Sequence, residues 1–280
     1  MKPIVLSIAG SDPSAGAGLQ ADLKAIAANG GYAATVVTAI TAQNTREVRR
    51  VARLAAELVR DQLDAVFSDL KVAAVKSGML GSADVVREVV RALRKFRPAH
   101  YVCDPVLFAG SGVRLLDRQG LAALRRELLP LATLVTPNVD EAEALSGEKI
   151  EDLDQAGRAA ESLLADGAQA VLVKGGHLRG APAADLLVTA ASRQVFAADF
   201  IDTPHTHGTG CIYASAIATG LARGLSLTRA IEMAKKFVTG AIRHGVAIGG
   251  GSGPADPLYA MQQPEDGRPR AEFTRAGGGL

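Results

Sequence analysis

The sequence predicts an α/β fold with a mostly parallel central sheet, and three observations support this. Short β-rich runs alternate with longer stretches of helical period, as expected for βαβ units. The 280 residues are 48% hydrophobic, which is enough to bury the core of such a domain. No linker or break in composition divides the chain, so we expect one domain over residues 1–261.

Strands and helices are predicted in alternation along most of the chain. Near the end the pattern changes, first to two antiparallel strands joined around Ser192 and then to two consecutive helices. From residue 262 the periodicity is lost, so we expect a loose tail over 262–280. The predicted strands are 4–9, 34–42, 72–78, 101–107, 134–138, 170–176 and the pair within 184–200; the predicted helices are 19–30, 54–70, 82–96, 152–167, 208–224 and 226–245.

The composition excludes several classes of protein. Lys and Arg total 31 against 29 Asp and Glu, so the net charge of +2 gives no argument for binding nucleic acid or an anionic membrane. The two cysteines, Cys103 and Cys211, are far apart, which favours reduced thiols over a disulfide framework. No apolar run has the length of a membrane span, and the N-terminal one is too short for a secretory signal. We therefore expect a cytoplasmic protein with a small-molecule substrate.

Polar or glycine-rich residues follow nearly every predicted strand. In parallel sheets, ligands collect outside the carboxyl ends of the strands, although ordinary turn residues explain any one such end taken alone. The set together indicates a ligand site. The strand ends are Gly10–Asp12, Gln43–Asn44, Gly78–Met79, Asp104–Val106, Pro137–Asn138 and Lys174–Gly176.

The stretch THGTGCI (206–212) leads glycine-rich backbone into an Ala-rich helix with no acidic residue in its first turns. Free N–H groups and the helix dipole stabilise negative charge at such a place. The alternative is that the two glycines only tighten the entry to a buried helix. Lys174, Asp104 and Glu141, each just past a predicted strand, favour a site for magnesium and nucleotide phosphates.

Other phosphate motifs are weak or absent. The sequence has no GxxxxGK[ST] motif. GAGLQA (16–21) matches the dinucleotide-binding pattern poorly, because it stands away from Gly10 and no acidic residue closes the next strand. We interpret it as a loop that brings backbone close to a small ligand.

Seven motifs occur in order between about residue 4 and about residue 245. They are IAGSDPSAGAGLQADLKAI, TAITAQNT, KSGMLGSADVV, CDPV…GSG, VTPNVDEAEAL, VLVKGGH and THGTGC. Together they resemble the hydroxymethylpyrimidine and phosphomethylpyrimidine kinases of thiamin biosynthesis, in the ribokinase superfamily. The resemblance implies a three-layer αβα ribokinase-like fold, a homodimer, and ATP-dependent phosphorylation of 4-amino-5-hydroxymethyl-2-methylpyrimidine and then of its monophosphate.

The resemblance also implies residues for each part of the site. Gln43 both donates and accepts at an aminopyrimidine edge, and Met79 and Val106 supply an apolar face. Asp22 is expected to contact the substrate, although it also suits the first turn of a helix. The implied substrate-binding residues are Gly10, Asp22, Gln43, Met79, Val106 and Cys211; Asn138, Lys174 and Thr209 bind ATP; Asp104 and Glu141 organise Mg²⁺; Lys174 and the anion hole Gly208, Thr209, Gly210 and Cys211 act in catalysis.

Cys211 stands where many ribokinase relatives carry an aspartate base. A thiol at a helix N-terminus has a pKa of about 7 or lower, so one hypothesis is that Cys211 accepts the hydroxyl proton. Cys211→Ser would then slow the first phosphorylation far more than the second, whose phosphate nucleophile is already ionised. The competing hypothesis is that Cys211 only packs against the pyrimidine. His177 and His207, in loops near the site, are interpreted as solvated.

Two other functions stay open. A pyridoxal or pyridoxine kinase uses the same scaffold and cysteine-bearing turn, although Gln43 and Met79 favour the pyrimidine. A non-catalytic vitamin- or nucleotide-binding regulator is disfavoured, since a binder needs no lysine and carboxylates around an anion turn. ATP consumption that depends on the pyrimidine separates an enzyme from a regulator.

Overall fold

The computed structural model describes residues 2–110, 112–176 and 183–262, and within them nine strands form one sheet. Of the expected tail over 262–280, only residue 262 is described, at the end of the short 3₁₀ helix Tyr259–Gln262; the rest of the tail and His177 lie outside these residues. The strands are β1 (Ile4–Ser11), β2 (Tyr32–Gln43), β3 (Val48–Arg53), β4 (Val72–Ser77), β5 (His100–Cys103), β6 (Leu134–Val135), β7 (Ala170–Gly175), β8 (Ala184–Thr189) and β9 (Arg193–Ala197).

The sheet order is β3-β2-β1-β4-β5-β6-β7-β8-β9. The central strands from β2 to β7 in this order run parallel, whereas β3 at one edge and β8 and β9 at the other pair antiparallel. The two antiparallel strands predicted around Ser192 are therefore present as β8 and β9.

Helices cover both faces of the sheet. They are α1 (Gly18–Ala28), α2 (Ala56–Asp69), α3 (Ala83–Phe96), α4 (Arg118–Ala123), α5 (Val139–Ser146), α6 (Leu153–Ala165), α7 (Thr209–Ala222) and α8 (Leu227–Arg243). One apolar cluster packs the sheet against α1, α7 and α8, and another packs it against α2 to α6. The predicted three-layer αβα fold is confirmed. None of the helices in the described residues combines the length and apolar character needed to cross a membrane.

Helix α7 is buried along nearly its whole length. Every residue from 212 to 221 is buried, as expected for a helix that is apolar on all sides. Its many alanines leave little side chain between the helix and the sheet. Because the helix is enclosed, the position of its first turn at the strand ends is fixed by packing.

The edge strand β3 was not predicted. Its sequence, VRRVAR, leaves only Val48 and Val51 partly buried, while Arg49 and Arg50 are exposed. An edge strand tolerates such charges because one side and much of its face meet solvent. The charges hide the alternation by which a strand is predicted.

A bulge lies just before the strand ends that form the site. The pairing of β1 with β2 shifts between Ala9 and Gly10, which leaves Thr38 as the extra residue of β2. The Thr38 hydroxyl donates to the carbonyl oxygen of Met79 at 2.6 Å and so ties the bulge to the next segment of the site. Bulges redirect the residues that follow them, here Gly10 and the end of β2 that holds Gln43.

Candidate active site

A cleft of about 650 Å³ opens at the carboxyl ends of the parallel strands, where ligands collect in this class of sheet. Two of the predicted site residues, Asp22 and Thr209, are not among its lining residues. The predicted residues that do line it are Gly10, Gln43, Met79, Asp104, Val106, Asn138, Glu141, Lys174, Gly208, Gly210 and Cys211.

Lys174 and Asp104 form an ion pair at one end of the cleft. The ammonium of Lys174 donates to Oδ1 of Asp104 at 2.8 Å, and the Thr136 hydroxyl donates to the same oxygen at 3.2 Å. Burial raises the pKa of the Asp104 carboxyl, but the positive charges of Lys174 and Lys76 lower it by a larger amount. The net shift of this pKa is therefore downward. Both partners are therefore charged at neutral pH.

Asn138 and Glu141 close the start of α5. The Asn138 side chain accepts the backbone N–H of Glu141 at 2.8 Å, and the Glu141 carboxyl accepts that of Asn138 at 2.9 Å, a capping box. Burial raises the pKa of Glu141 to about 7, with the charge of Lys174 opposing the rise and that of Asp104 adding to it. The Glu141 carboxyl thus caps the start of α5, and the residue also lines the cleft.

A fully buried lysine, Lys76 of β4, lies beneath the cleft. Its ammonium is 3.0 Å from both carboxylate oxygens of Asp22 and 3.9 Å from Oδ2 of Asp104. Burial lowers the pKa of Lys76, but the charges facing it raise it well above the usual value. Together with Lys174, these residues form a chain of alternating charge: Asp22, Lys76, Asp104, Lys174.

Asp22, which is expected to contact the substrate, does not line the cleft. Asp22 is fully buried and also accepts the Ser215 hydroxyl at 2.8 Å, so its carboxylate serves Lys76 rather than the cleft. The sequence feature that indicates a buried charge pair is the lysine within the apolar strand VAAVKSG. A charge within an apolar strand requires a buried partner of opposite sign.

Cys211 lines the cleft in the first turn of α7. Burial raises the pKa of its thiol to about 11, although the charge of Lys76 opposes this rise. This shift disfavours a thiolate near neutral pH and favours the packing hypothesis, because desolvation outweighs the helix N-terminus. Cys103 and Cys211 are both free thiols, as expected.

Two glycine-rich loops, 12–18 and 206–210, pack against each other before α7. A Cβ at Gly208, whose φ is +80°, would overlap the carbonyl oxygen of Gly16. A Cβ at Gly18, whose φ is +57°, would overlap the carbonyl oxygen at position 10 of β1. Glycine at positions 18 and 208 therefore allows close contact between backbone segments. Both residues also line the cleft.

The start of α7 is electropositive. No acidic residue occurs in its first turn, and N–H groups at a helix start lack intrahelical acceptors. The ammonium of Lys174 lies only 3.2 Å from the place a Cβ of Gly210 would occupy, so the lysine reaches this turn because the residue is glycine. Thr209 is not among the residues that line the cleft, and its backbone N–H donates to the Thr206 carbonyl at 3.3 Å.

The rest of the cleft lining combines an apolar wall with polar side chains, among them the amide of Gln43. Met79 and Val106 belong to a small apolar cluster with Ala39 and Leu115. A Cβ at position 10 would stand 3.0 Å from the Met79 sulfur, so glycine there lets the methionine lie against β1. Gln43 supplies the amide at the end of β2.

His207 is not the solvated loop residue expected from the sequence. Its side chain is 20% exposed, and its Nε2 lies 2.9 Å from Oδ2 of Asp12 and 3.3 Å from Nε2 of Gln43. Its ring also covers Gly16, where a Cβ would overlap it. The residues are 195 positions apart in the chain, so only the fold reveals the pair.

The carboxylates suit a magnesium ion that arrives with a nucleotide. Among the residues that the structure describes, no cluster of three or more Asp, Glu, His or Cys side chains is placed to hold a metal by itself. Mg²⁺ commonly takes one or two protein carboxylates and completes its shell with phosphate oxygens and water. Asp104 and Glu141 line the same cleft and disfavour each other's ionisation, a repulsion that a cation relieves.

Comparison with known proteins shows the family of this chain. The family model for phosphomethylpyrimidine kinase matches residues 12–256. The hydroxymethylpyrimidine/phosphomethylpyrimidine kinase of Rhizobium meliloti is 48% identical over 262 residues, which cover 92% of this chain and 98% of that protein. The thiamine biosynthesis bifunctional protein ThiED of Geobacter sulfurreducens is 45% identical over 94% of this chain, which spans only 54% of that protein.

A solved structure with lower sequence identity shares the same fold. The ADP complex of Bacillus subtilis pyridoxal kinase matches with a TM-score of 0.86 at 33% identity, covering 94% of this chain and 100% of that one. Both groups of proteins are kinases, and nucleotide complexes among the pyridoxal kinase structures support the use of ATP by this family of folds. The chain belongs to the phosphomethylpyrimidine kinase family and is a phosphotransferase.

Proposed function

We propose that this protein transfers the γ-phosphoryl group of ATP to the hydroxymethyl group of 4-amino-5-hydroxymethyl-2-methylpyrimidine and then phosphorylates the monophosphate to the diphosphate. One observation supports this above others. A single cleft has the ion pair of Lys174 at the electropositive start of α7 and, at its other end, the amide of Gln43 beside an apolar wall. The first end suits phosphates, and the second suits a small aminated ring.

In this proposal the phosphate end supplies charge and position. Lys174 neutralises the transferring phosphoryl group, and the backbone N–H groups of Gly208, Gly210 and Cys211 donate to its oxygens. Magnesium, held by Asp104 and Glu141 directly or through water, would neutralise nucleotide phosphates, with Asn138 near them. Thr209 is left out of this set, because its backbone N–H donates to the Thr206 carbonyl and the residue does not line the cleft.

The ring end supplies orientation. Gln43 offers a donor and an acceptor to the aminopyrimidine edge, while Met79 and Val106 cover the ring face and Gly10 leaves room beside them. Asp22 is not part of this proposal, because it is buried behind the cleft.

Cys211 is proposed as a packing residue. A thiol with its pKa raised to about 11 is protonated at neutral pH and does not serve as the base. Phosphoryl transfer through a loose transition state depends mainly on positioning and charge, so the first step tolerates a weak base. In the second step the phosphate nucleophile is already ionised.

Phosphorylation of pyridoxal is the second candidate, because the fold matches a pyridoxal kinase with a TM-score of 0.86. A coupled ADP-release assay with hydroxymethylpyrimidine, its monophosphate and pyridoxal tests both by comparing kcat/KM. We expect the two pyrimidines to exceed pyridoxal by at least about tenfold, the size of one good polar contact. A larger kcat/KM for pyridoxal would reverse the assignment, and no ADP release with any of them would favour a regulator.

A further inference from the structure

We propose that Asp12 and His207 fix the orientation of the Gln43 amide and thereby set which ring the cleft accepts. The inference rests on the proposed function, because it concerns how the same cleft distinguishes its substrate from similar rings. Asp12 and His207 are positioning residues here, since they act through Gln43.

The Asp12 carboxylate is held firmly by the first glycine-rich loop. Its Oδ1 accepts the backbone N–H and the hydroxyl of Ser14 at 2.9 and 2.7 Å, and its Oδ2 accepts the N–H of Ala17 at 2.9 Å. Burial opposes ionisation of Asp12, but the bonds from His207 and this loop outweigh it and lower the pKa to about 2. Asp12 is therefore an ionised group that only accepts hydrogen bonds.

The same nitrogen of His207 faces both neighbours. Its Nε2 is 2.9 Å from Oδ2 of Asp12 and 3.3 Å from Nε2 of Gln43. Because the carboxylate only accepts, Nε2 of His207 must hold a proton and donate it. This single N–H donates mainly to Asp12 and cannot accept from an amide NH₂, but it can share its proton with an amide oxygen in a three-centre bond. The amide oxygen is therefore the atom that belongs beside His207, which a half-turn of the amide achieves.

The contact at the other terminal atom of the Gln43 amide favours the same amide orientation. The Thr41 hydroxyl lies 3.4 Å from Oε1 of Gln43, and it donates to the Ser11 carbonyl at 2.9 Å. A hydroxyl has one proton, so Thr41 is left as an acceptor toward Gln43. The NH₂ group belongs on this side, and both neighbours therefore favour one amide orientation.

A fixed amide presents a fixed order of groups to the cleft. An amide has two oxygen lone pairs and two N–H groups; His207 takes one lone pair and Thr41 takes one N–H. One acceptor on the His207 side and one donor on the Thr41 side remain for a ligand. A 4-aminopyrimidine matches this order, because its amino group donates and the adjacent ring nitrogen accepts. The 4-oxo counterpart, with a ring N–H beside a carbonyl, has the reverse order and nearly the same shape.

The test compares binding of these two ligands, 4-amino- and 4-oxo-5-hydroxymethyl-2-methylpyrimidine, by calorimetry. The full-length protein is used as wild type, His207→Phe and His207→Gln. Phe keeps a ring over Gly16 but has no N–H, whereas Gln restores an N–H donor. We expect wild type to prefer the amino ligand by about 100-fold, as expected when a site's polar groups face mismatched partners. His207→Phe should reduce this preference to below about tenfold, and His207→Gln should recover most of it.

The ratio of the two dissociation constants distinguishes orientation from general support. A purely structural His207 would weaken both ligands equally and leave the ratio unchanged, which would overturn the inference. Thr41→Val provides an independent variant if His207→Phe folds poorly, and it should lower the ratio in the same direction. A wild type that phosphorylates the amino ligand but shows no preference between the two would overturn the inference alone. A wild type that neither binds nor phosphorylates the amino ligand would overturn the proposed function with it.

Discussion

The two ends of the cleft are built from different kinds of interaction. The phosphate end rests on the buried charge chain Asp22, Lys76, Asp104 and Lys174. The proposed ring end combines an apolar wall with the neutral amide of Gln43, beside which Asp12 and His207 also line the cleft. Removing one member of a buried charge chain leaves its partner uncompensated, whereas turning an amide exchanges one hydrogen bond for another. We therefore expect the phosphate end to govern rate and stability, and the ring end to govern selectivity.

The largest expected effect is at the phosphate end. Lys174→Met should lower kcat by about 10³-fold for both phosphorylation steps, since it removes the cation at the anion-binding turn. Lys149→Met is the matched control, because that exposed lysine only pairs with Glu143. Steady-state kinetics with both pyrimidines measures the effect. If kcat for Lys174→Met fell no further than that of the control, the phosphate end would have to lie elsewhere.

The charge chain is next tested by stability. Lys76→Met leaves the Asp22 carboxylate buried without a cation, which should lower the free energy of unfolding by about 3–5 kcal/mol. The double variant Lys76→Met/Asp22→Asn removes both charges and should recover much of this loss. Urea denaturation of the single and double variants measures the free energy of unfolding of each. Additive losses in the double variant would contradict a direct pairing of the two residues.

A smaller loss is expected where the two loops meet. Gly208→Ala places a Cβ against the Gly16 carbonyl, whereas Gly30→Ala has a similar φ of +84° with nothing within 4 Å. Both variants include the cost of a positive φ, so their difference reports crowding alone. We expect Gly208→Ala to be less stable than Gly30→Ala by about 1–3 kcal/mol and to lose activity. Equal melting temperatures for the two variants would show that the loops separate easily.

The smallest effect is expected at Cys211. With a protonated thiol, Cys211→Ser should slow both steps by similar factors, within about fivefold. This revises the sequence-based hypothesis that the first step suffers more. The raised pKa of about 11 means that thiolate, and with it alkylation by iodoacetamide, increases as pH rises toward that value. Peptide mapping after alkylation at pH 7.5 should show Cys211 reacting at least about 100-fold more slowly than free cysteine.

Much of the fold could be predicted because local patterns and core packing agree. The alternation of strand and helix periods predicted the parallel strands, the β8–β9 hairpin and the helices α7 and α8. Edge strand β3 was missed, since its arginines face solvent and conceal the pattern. Residues directly after strands, such as Gln43 and Lys174, were also found from sequence, because parallel strands bring their carboxyl ends to one edge.

What the sequence alone determined is thus the architecture, the family and the residues at the strand ends, each of which depends on neighbours close in the chain. Only the tertiary structure decided the partners of buried charges and the protonation of Cys211. Lys76 and Asp22 are 54 positions apart, and Asp12 and His207 are 195 apart. Charge pairing and desolvation act through space over a few ångströms, and those distances exist only once the sheet and α7 have brought distant segments together.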